Sequence, residues 1–443
     1  MTVVTVAVSF ATITFDGLIK EKLVDRTGWI WAGGPEGARE ILSTIAGSMI
    51  TVAGVVFSIT VVVLALASSQ FGPRLLRNFM RDRGNQIVLG TFISTFTYCL
   101  LILRTIRGED GGSEFVPHIS VTLGIVLALA SLGVLIYFIH HVSVSIQAPI
   151  IIARVAEELE RAVDRLFPEL LGQSAEEEIE SARRNDIPPE LDRDAGRVPS
   201  CTSGYLQAID SEGLMDLATE KDLLIHINVR PGEFIVKGSD LVLTWPKQII
   251  DDTLADQVNA LFIFGAERTE AQDIGFSVNQ LAEIAVRALS PGINDPFTAM
   301  TCVDRLGAAL CRLAERKVPS PYRHDANGTL RVIAKGTTFT DLADDAFNPI
   351  RQYGRSSALV TIRLLKILAV VAEHVRTEED RQALLRHALM IERASREALA
   401  EPAERDAIED RYWGVLKVLG QDRSVPESVG GSGGFRSIIE QES

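Results

Sequence analysis

Apolar residues gather at the front of the chain and recur periodically behind it. The run Ile41 to Pro73 carries no charged residue between Glu40 and Arg74. Gly84 to Leu103 is a second such run, and Phe115 to Ile139 a third, closing on His140 and His141. Each is long enough for a helix of ~20 residues to cross a hydrocarbon layer. Met1 to Phe15 is a fourth, shorter run. It lacks the basic lead and small-residue cleavage site of a signal peptide, so it reads as a shortened first span. The pattern predicts a membrane protein, mainly α. Residues 1–145 would form a bundle of about four transmembrane helices, with spans near 1–15, 41–66, 86–103 and 116–139.

The connecting loops orient this bundle. Arg74, Arg77, Arg81 and Arg83 stand against one acid, Asp82, whereas Arg104 and Arg107 are outnumbered by Glu109, Asp110 and Glu114. Basic residues concentrate on cytoplasmic loops, so 74–83 is expected inside and 104–114 outside. Residues 142–443 then lie in the cytoplasm.

One face of the span 41–66 is unusual. Ser43, Gly47, Thr51, Gly54 and Ser58 follow at helical steps of three and four, making a stripe of small residues. Gly90, Ser94 and Thr97 repeat the pattern in the next span, and Gly124, Ala128 and Ser131 in the third. Such stripes let helix backbones approach one another. A stripe rich in hydroxyls can alternatively line a permeation path. No Asp, Glu, Lys or Arg falls inside the four spans, which argues against an ion-coupled pump.

Behind the membrane region, residues 146–171 read as a helix leaving the bilayer. Its apolar stripe of Val155, Leu159, Val163 and Leu166 calls for a partner in the following domain or in another subunit. Residues 172–199 form an acidic, proline-containing linker (Glu176, Glu177, Glu178, Pro188, Pro189). Alternating segments and Pro231-Gly232 and Gly238 turns mark a small β module over 200–247. It is similar to the barrel-sandwich of biotinyl and lipoyl carriers, but Lys237 lacks the flanking residues of a cofactor-bearing lysine. Residues 248–425 are a helical domain with one short strand near 329–334, and 426–443 form a Gly/Ser-rich tail. The cytoplasmic region is thus α+β with a helical C-terminal part. Within it, Ser290 to Ala299 joins two helices. There Asn294 and Asp295 are candidate ligands for a cation or polar solute, although Asp295 before Pro296 is also a helix cap.

Charge divides the chain the same way. Residues 1–153 balance at +1, while the remainder carries 34 basic and 49 acidic residues. No basic stripe is available to displace counterions from a nucleic acid. Cys99, Cys201, Cys302 and Cys311 make no metal or disulfide motif, which fits a reducing compartment. The seven histidines form no H-x-x-x-H set, and His140 and His141 diverge by about 100° on a helix, so they fit a polar or pH-sensitive element at the membrane exit. No nucleophile elbow, phosphate-binding loop or dinucleotide fingerprint is present. No enzyme, cofactor or metal site is expected.

Four segments in order carry a resemblance: Leu42 to Thr51, Ser68 to Arg74, Tyr137 to His141, and Ser290 to Ala299. They resemble the bacterial family of predicted membrane proteins with domain of unknown function 2254. The resemblance implies a multi-pass inner-membrane protein and brings no established activity. Two functions follow from the residues. One is a homo-oligomeric, channel-like protein passing a small solute or ion, and the other a membrane-anchored sensor or scaffold whose cytoplasmic part binds a partner.

Overall fold

The computed structural model describes residues 1–18, 31, 33–72, 83–107, 115–167, 195–247 and 251–421. The Arg74–Asp82 loop, the acidic 109–114 loop, residues 172–194 of the linker and the 426–443 tail lie outside them. The chain divides into two units, Met1–Ile151 and Ile152–Ser443.

The first unit contains α1 (Thr2–Leu18), α2 (Pro35–Phe71), α3 (Arg83–Leu103) and α4 (His118–Ser145). Three of these, α2, α3 and α4, are long and apolar enough to cross a membrane; α1, at 17 residues, is shorter. The structure therefore supports three candidate membrane helices plus a short apolar helix, not a count of four. Ala38, Leu42 and Ala46 of α2 meet Tyr98, Cys99 and Ile102 of α3 and Val121 of α4 in one buried cluster. Ala53 and Val56 meet Val88, Phe92, Phe138 and Val142 in a second. The Arg39 guanidinium donates to the carbonyl of Ile106 (3.0 Å), satisfying an acceptor just beyond the end of α3.

The unit boundary falls inside α5 (Ala148–Leu166). Val155, Leu159 and Val163 are fully buried. Leu159 and Val163 line one small apolar space with Val278, Leu306, Leu310 and Leu342. The stripe is thus covered by the following domain of its own chain, one of the two partners expected for it. Asp164 anchors the polar side through Arg312 (2.7 Å) and Arg316 (2.8 Å).

The second unit continues with β1 (Gly196–Pro199), β2 (Gly204–Ile209), α6 (Ser211–Glu220), β3 (Leu224–Ile227), β4 (Phe234–Ile235) and β5 (Asp240–Trp245). Next come α7 (Asp252–Ala260), β6 (Phe262–Gly265), α8 (Ile274–Ala288), α9 (Pro296–Ala314), β7 (Tyr322–His324) and β8 (Leu330–Ala334). It closes with α10 (Phe339–Gly354), α11 (Ala358–His374), α12 (Glu378–Ala398) and α13 (Pro402–Val418). A five-stranded sheet runs β1-β5-β3-β8-β7, and a three-stranded sheet β4-β2-β6.

This arrangement corrects the self-contained barrel-sandwich expected at 200–247. Strand β3 is central and needs partners on both edges. One is β5, and the other is β8, paired in parallel through Ile225↔Val332 and Ile227↔Ala334. Strand β2 likewise takes β6 from beyond the expected boundary. Residues 196–199, expected as linker, are strand β1 on β5. Leu206, Ile225, Val242, Phe262 and Val332 share one core.

Candidate functional site

On α2 the buried residues Ala38, Leu42, Ala46, Ala53 and Val56 form one face. Ser43, Gly47, Thr51, Gly54 and Ser58 lie about 140° round the helix, and all five are exposed in the protomer. A β-carbon added at Gly47 or Gly54 would meet nothing within 4 Å. The Thr51 hydroxyl donates to the Gly47 carbonyl (2.8 Å), so its proton is satisfied within the helix. At 100° per residue the stripe runs between Ile50 and Phe57 on one side and Val55 and Val62 on the other, all exposed. The result is a shallow, small-residue groove along an apolar helix.

The corresponding residues of α3 and α4 are used inside the protomer. A β-carbon at Gly124 would stand 3.0 Å from Leu42 Cδ2, and one at Gly90 3.0 Å from Met1 Sδ. Thr95 and Ser131 share a buried hydroxyl–hydroxyl bond of 3.1 Å between α3 and α4. Gly90, Ser94, Gly124 and Ser131 thus meet neighbours inside the protomer, whereas the α2 stripe is open along its length, as is Gly133 of α4.

A polar cluster in this unit was missed from sequence. Helix α1 extends past Phe15 and carries Asp16 in its last turn. The Asp16 carboxylate accepts from the amides of Ile119 (2.9 Å) and Ser120 (3.0 Å) and from the Ser120 hydroxyl (2.6 Å). It thereby caps α4 across a separation of about a hundred residues. The Tyr98 hydroxyl donates to the Ser120 carbonyl (3.0 Å) and lies 3.3 Å from Thr12 Oγ1. The signal was a lone carboxylate within one turn of an apolar run.

His140 and His141 both belong to α4 and point apart. His140 is exposed, while the His141 ring stacks on Tyr137 at 5.4 Å. Asn294 sits at φ 50° in the tight turn between α8 and α9, its amide donating to the Ser290 carbonyl (2.9 Å). Asp295 accepts from the amides of Phe297 and Thr298 (3.1 Å each) and from the Thr298 hydroxyl (2.6 Å). Burial alone would raise its pKa, but these donors outweigh it and hold the carboxyl below the usual range. Its donors therefore come from the first turn of α9, which accounts for the residue as a cap. Among the described residues no three His, Cys, Asp or Glu side chains are placed to share a metal ion.

The second unit holds a cavity of about 270 Å³ at the carboxyl ends of the parallel strands β3 and β8. Ile227 and Ala334, the last residues of those strands, line it with apolar Leu166, Ile209 and Ile274. Arg230, Arg323 and Lys335 supply its charge, and no acidic side chain lines it. These cations come from three separate segments, so no local motif announces them.

Comparison with known proteins places the chain. Residues 1–370 match the family described as predicted membrane protein (DUF2254). An uncharacterized protein of Mycobacterium bovis and one of Mycobacterium tuberculosis are each 34% identical over 387 residues, covering 86% of this chain and 72% of theirs. No solved structure matches. The chain belongs to the DUF2254 family of predicted membrane proteins.

Proposed function

We propose that this family member is a subunit of a homo-oligomeric, channel-like protein of the bacterial inner membrane, with subunits meeting along the outer face of α2. One observation carries the reading: Gly90 of α3 and Gly124 of α4 meet side chains inside the protomer, whereas Gly47 and Gly54 have no neighbour and stand on one stripe of α2. Small-residue grooves of this kind are where membrane helices approach most closely. The partners are the lipid bilayer, further copies of the chain and a small solute or ion. Residues 142–443 lie in the cytoplasm in this reading, on the strength of the arginines at 74–83.

The test separates seam from path. Gly47→Leu or Gly54→Leu forces a tight seam apart and is expected to shift the mass in detergent toward the 48.4 kDa protomer. If the stripe lines a path, Ser43→Leu and Thr51→Leu stop flux in liposomes while the oligomer survives. Unchanged assembly and unchanged flux in all four variants would remove the reading. For the orientation, cysteines introduced at Phe79 and Gly112 should be protected and reactive, respectively, in intact cells.

A second reading, a membrane-anchored sensor or scaffold, is favoured by the solvent-open cavity of the second unit. Intact oligomers without conductance would select it.

A further inference from the structure

We propose that the cavity between the ends of β3 and β8 is a binding site for a small organic anion: a phosphate or carboxylate joined to a compact apolar group. The inference stands apart from the conduit reading.

Charge bookkeeping across the unit is the first support. Acidic residues outnumber basic ones behind residue 153, and several arginines here pair with carboxylates. Arg268 pairs with Asp273 at 2.8 Å, Arg331 with Asp222 and Asp325, Arg363 with Asp304, and Arg386 with Asp344. Arg230, at the cavity wall, is itself held by Asp341 at 3.0 Å. Arg323 and Lys335 form no ion pair or side-chain hydrogen bond among the described residues, although carboxylates are abundant. In an acidic domain, Arg323 and Lys335 beside the paired Arg230, with no acid lining the cavity among the described residues, leave a local positive field that an anion can neutralise.

The second support is position. Strand β8 lies parallel to β3, so both chains leave the sheet on the same side. In open α/β sheets ligands bind outside the carboxyl ends of the strands, and here β3 and β8 present two such ends side by side in a sheet whose other pairings are antiparallel. Arg323 sits on the edge strand β7, opposite Val332, and Lys335 follows directly on Ala334 at the end of β8. The floor is apolar, with Ile209, Ile227, Val229 and Ile274. A few charged groups converging over an apolar floor is the usual make-up of a small-molecule site. Inorganic phosphate would satisfy the cations and leave that floor wet. An anion with an apolar body satisfies both.

Phenyl phosphate is the probe, titrated calorimetrically into the full chain in phosphatidylcholine nanodiscs. Binding is expected, with inorganic phosphate at least tenfold weaker. Arg323→Gln and Lys335→Gln should each weaken phenyl phosphate tenfold or more, and Arg323→Lys should retain most of the affinity. Both positions are exposed, and an unchanged melting profile of the variants verifies that they fold. Absence of binding, or equal binding by the double glutamine variant, would overturn the proposal. A second titration in phosphatidylglycerol nanodiscs identifies the source of the anion. Unchanged affinity supports a soluble ligand, and loss of affinity would replace it with a lipid headgroup.

Discussion

Helix α9 comes so near α11 that a methyl group at Gly307 would stand 2.2 Å from Ile367 Cγ2, whereas a methyl group at Gly47 or Gly54 on α2 would touch nothing. The same contrast runs through both units. In the second, Gly232, Gly307 and Gly354 stand tight against neighbours, and the core is built of apolar side chains. In the first, the polar groups Thr95, Tyr98, Ser120 and Ser131 turn inward and satisfy one another. Ile50, Phe57, Val62, Leu129 and Ile136 face outward. Water cannot be the solvent around that exterior, because so wide an apolar surface would collapse on itself. The difference teaches that a glycine's role depends on what its surroundings have already closed.

The comparison can be broken most sharply at Gly232. Its φ is +95°, and an added β-carbon would lie 2.3 Å from Asp273 Oδ2, the carboxylate that pairs Arg268 and caps α8. Gly232→Ala combines positive-φ strain with overpacking, and a loss of about 3 kcal/mol is expected in thermal unfolding. An unchanged melting temperature would show that the turn has slack.

His387 probes the closed interior through pH. It is fully buried, with Nε2 2.8 Å from Asp344 Oδ1. Burial outweighs that carboxylate and lowers its pKa from 6.5 to about 4. The unfolded chain takes up a proton near 6.5 while the native state does not, so stability falls as pH drops from 6.5 to about 4. The full effect is about 3 kcal/mol. His387→Gln should flatten unfolding free energy across that window. An equal slope in the variant would assign the loss to other groups.

Gly307→Ala is expected to cost about 2 kcal/mol by forcing Ile367 out of its rotamer. The smallest effect sharpens the other side of the comparison: Gly47→Ala and Gly54→Ala should leave protomer unfolding within about 0.5 kcal/mol of the parent. A larger loss there would mean that the face is already occupied in the detergent-solubilised protein.

Much of the helical part was legible. Asp295-Pro296 marks the start of α9, and α10 to α13 fall in the stretch expected to be helical. Those signals are local, each set by a cap or by a 3.6-residue repeat. The β arrangement was not legible, because β3 and β8 lie over a hundred residues apart and nothing in Leu224–Ile227 names its parallel partner. The direction of the α2 stripe was hidden for a different reason. The helix is apolar almost all round, so hydrophobic periodicity cannot distinguish its inner from its outer face. The cavity cations were invisible as a group, since Arg230, Arg323 and Lys335 converge only after the sheet forms.

The cap that Asp16 places on α4 has a consequence for biosynthesis. Its partners, the amides of Ile119 and Ser120, leave the ribosome more than a hundred residues later. At ~5–20 residues per second that is an interval of roughly 5–20 seconds. Throughout it α1 carries an unneutralised carboxylate. The helix therefore cannot complete its contacts in the order in which it is made: α1 can meet α3 through Thr12 and Tyr98 first, and the Asp16 cap closes only once α4 arrives to supply the donors.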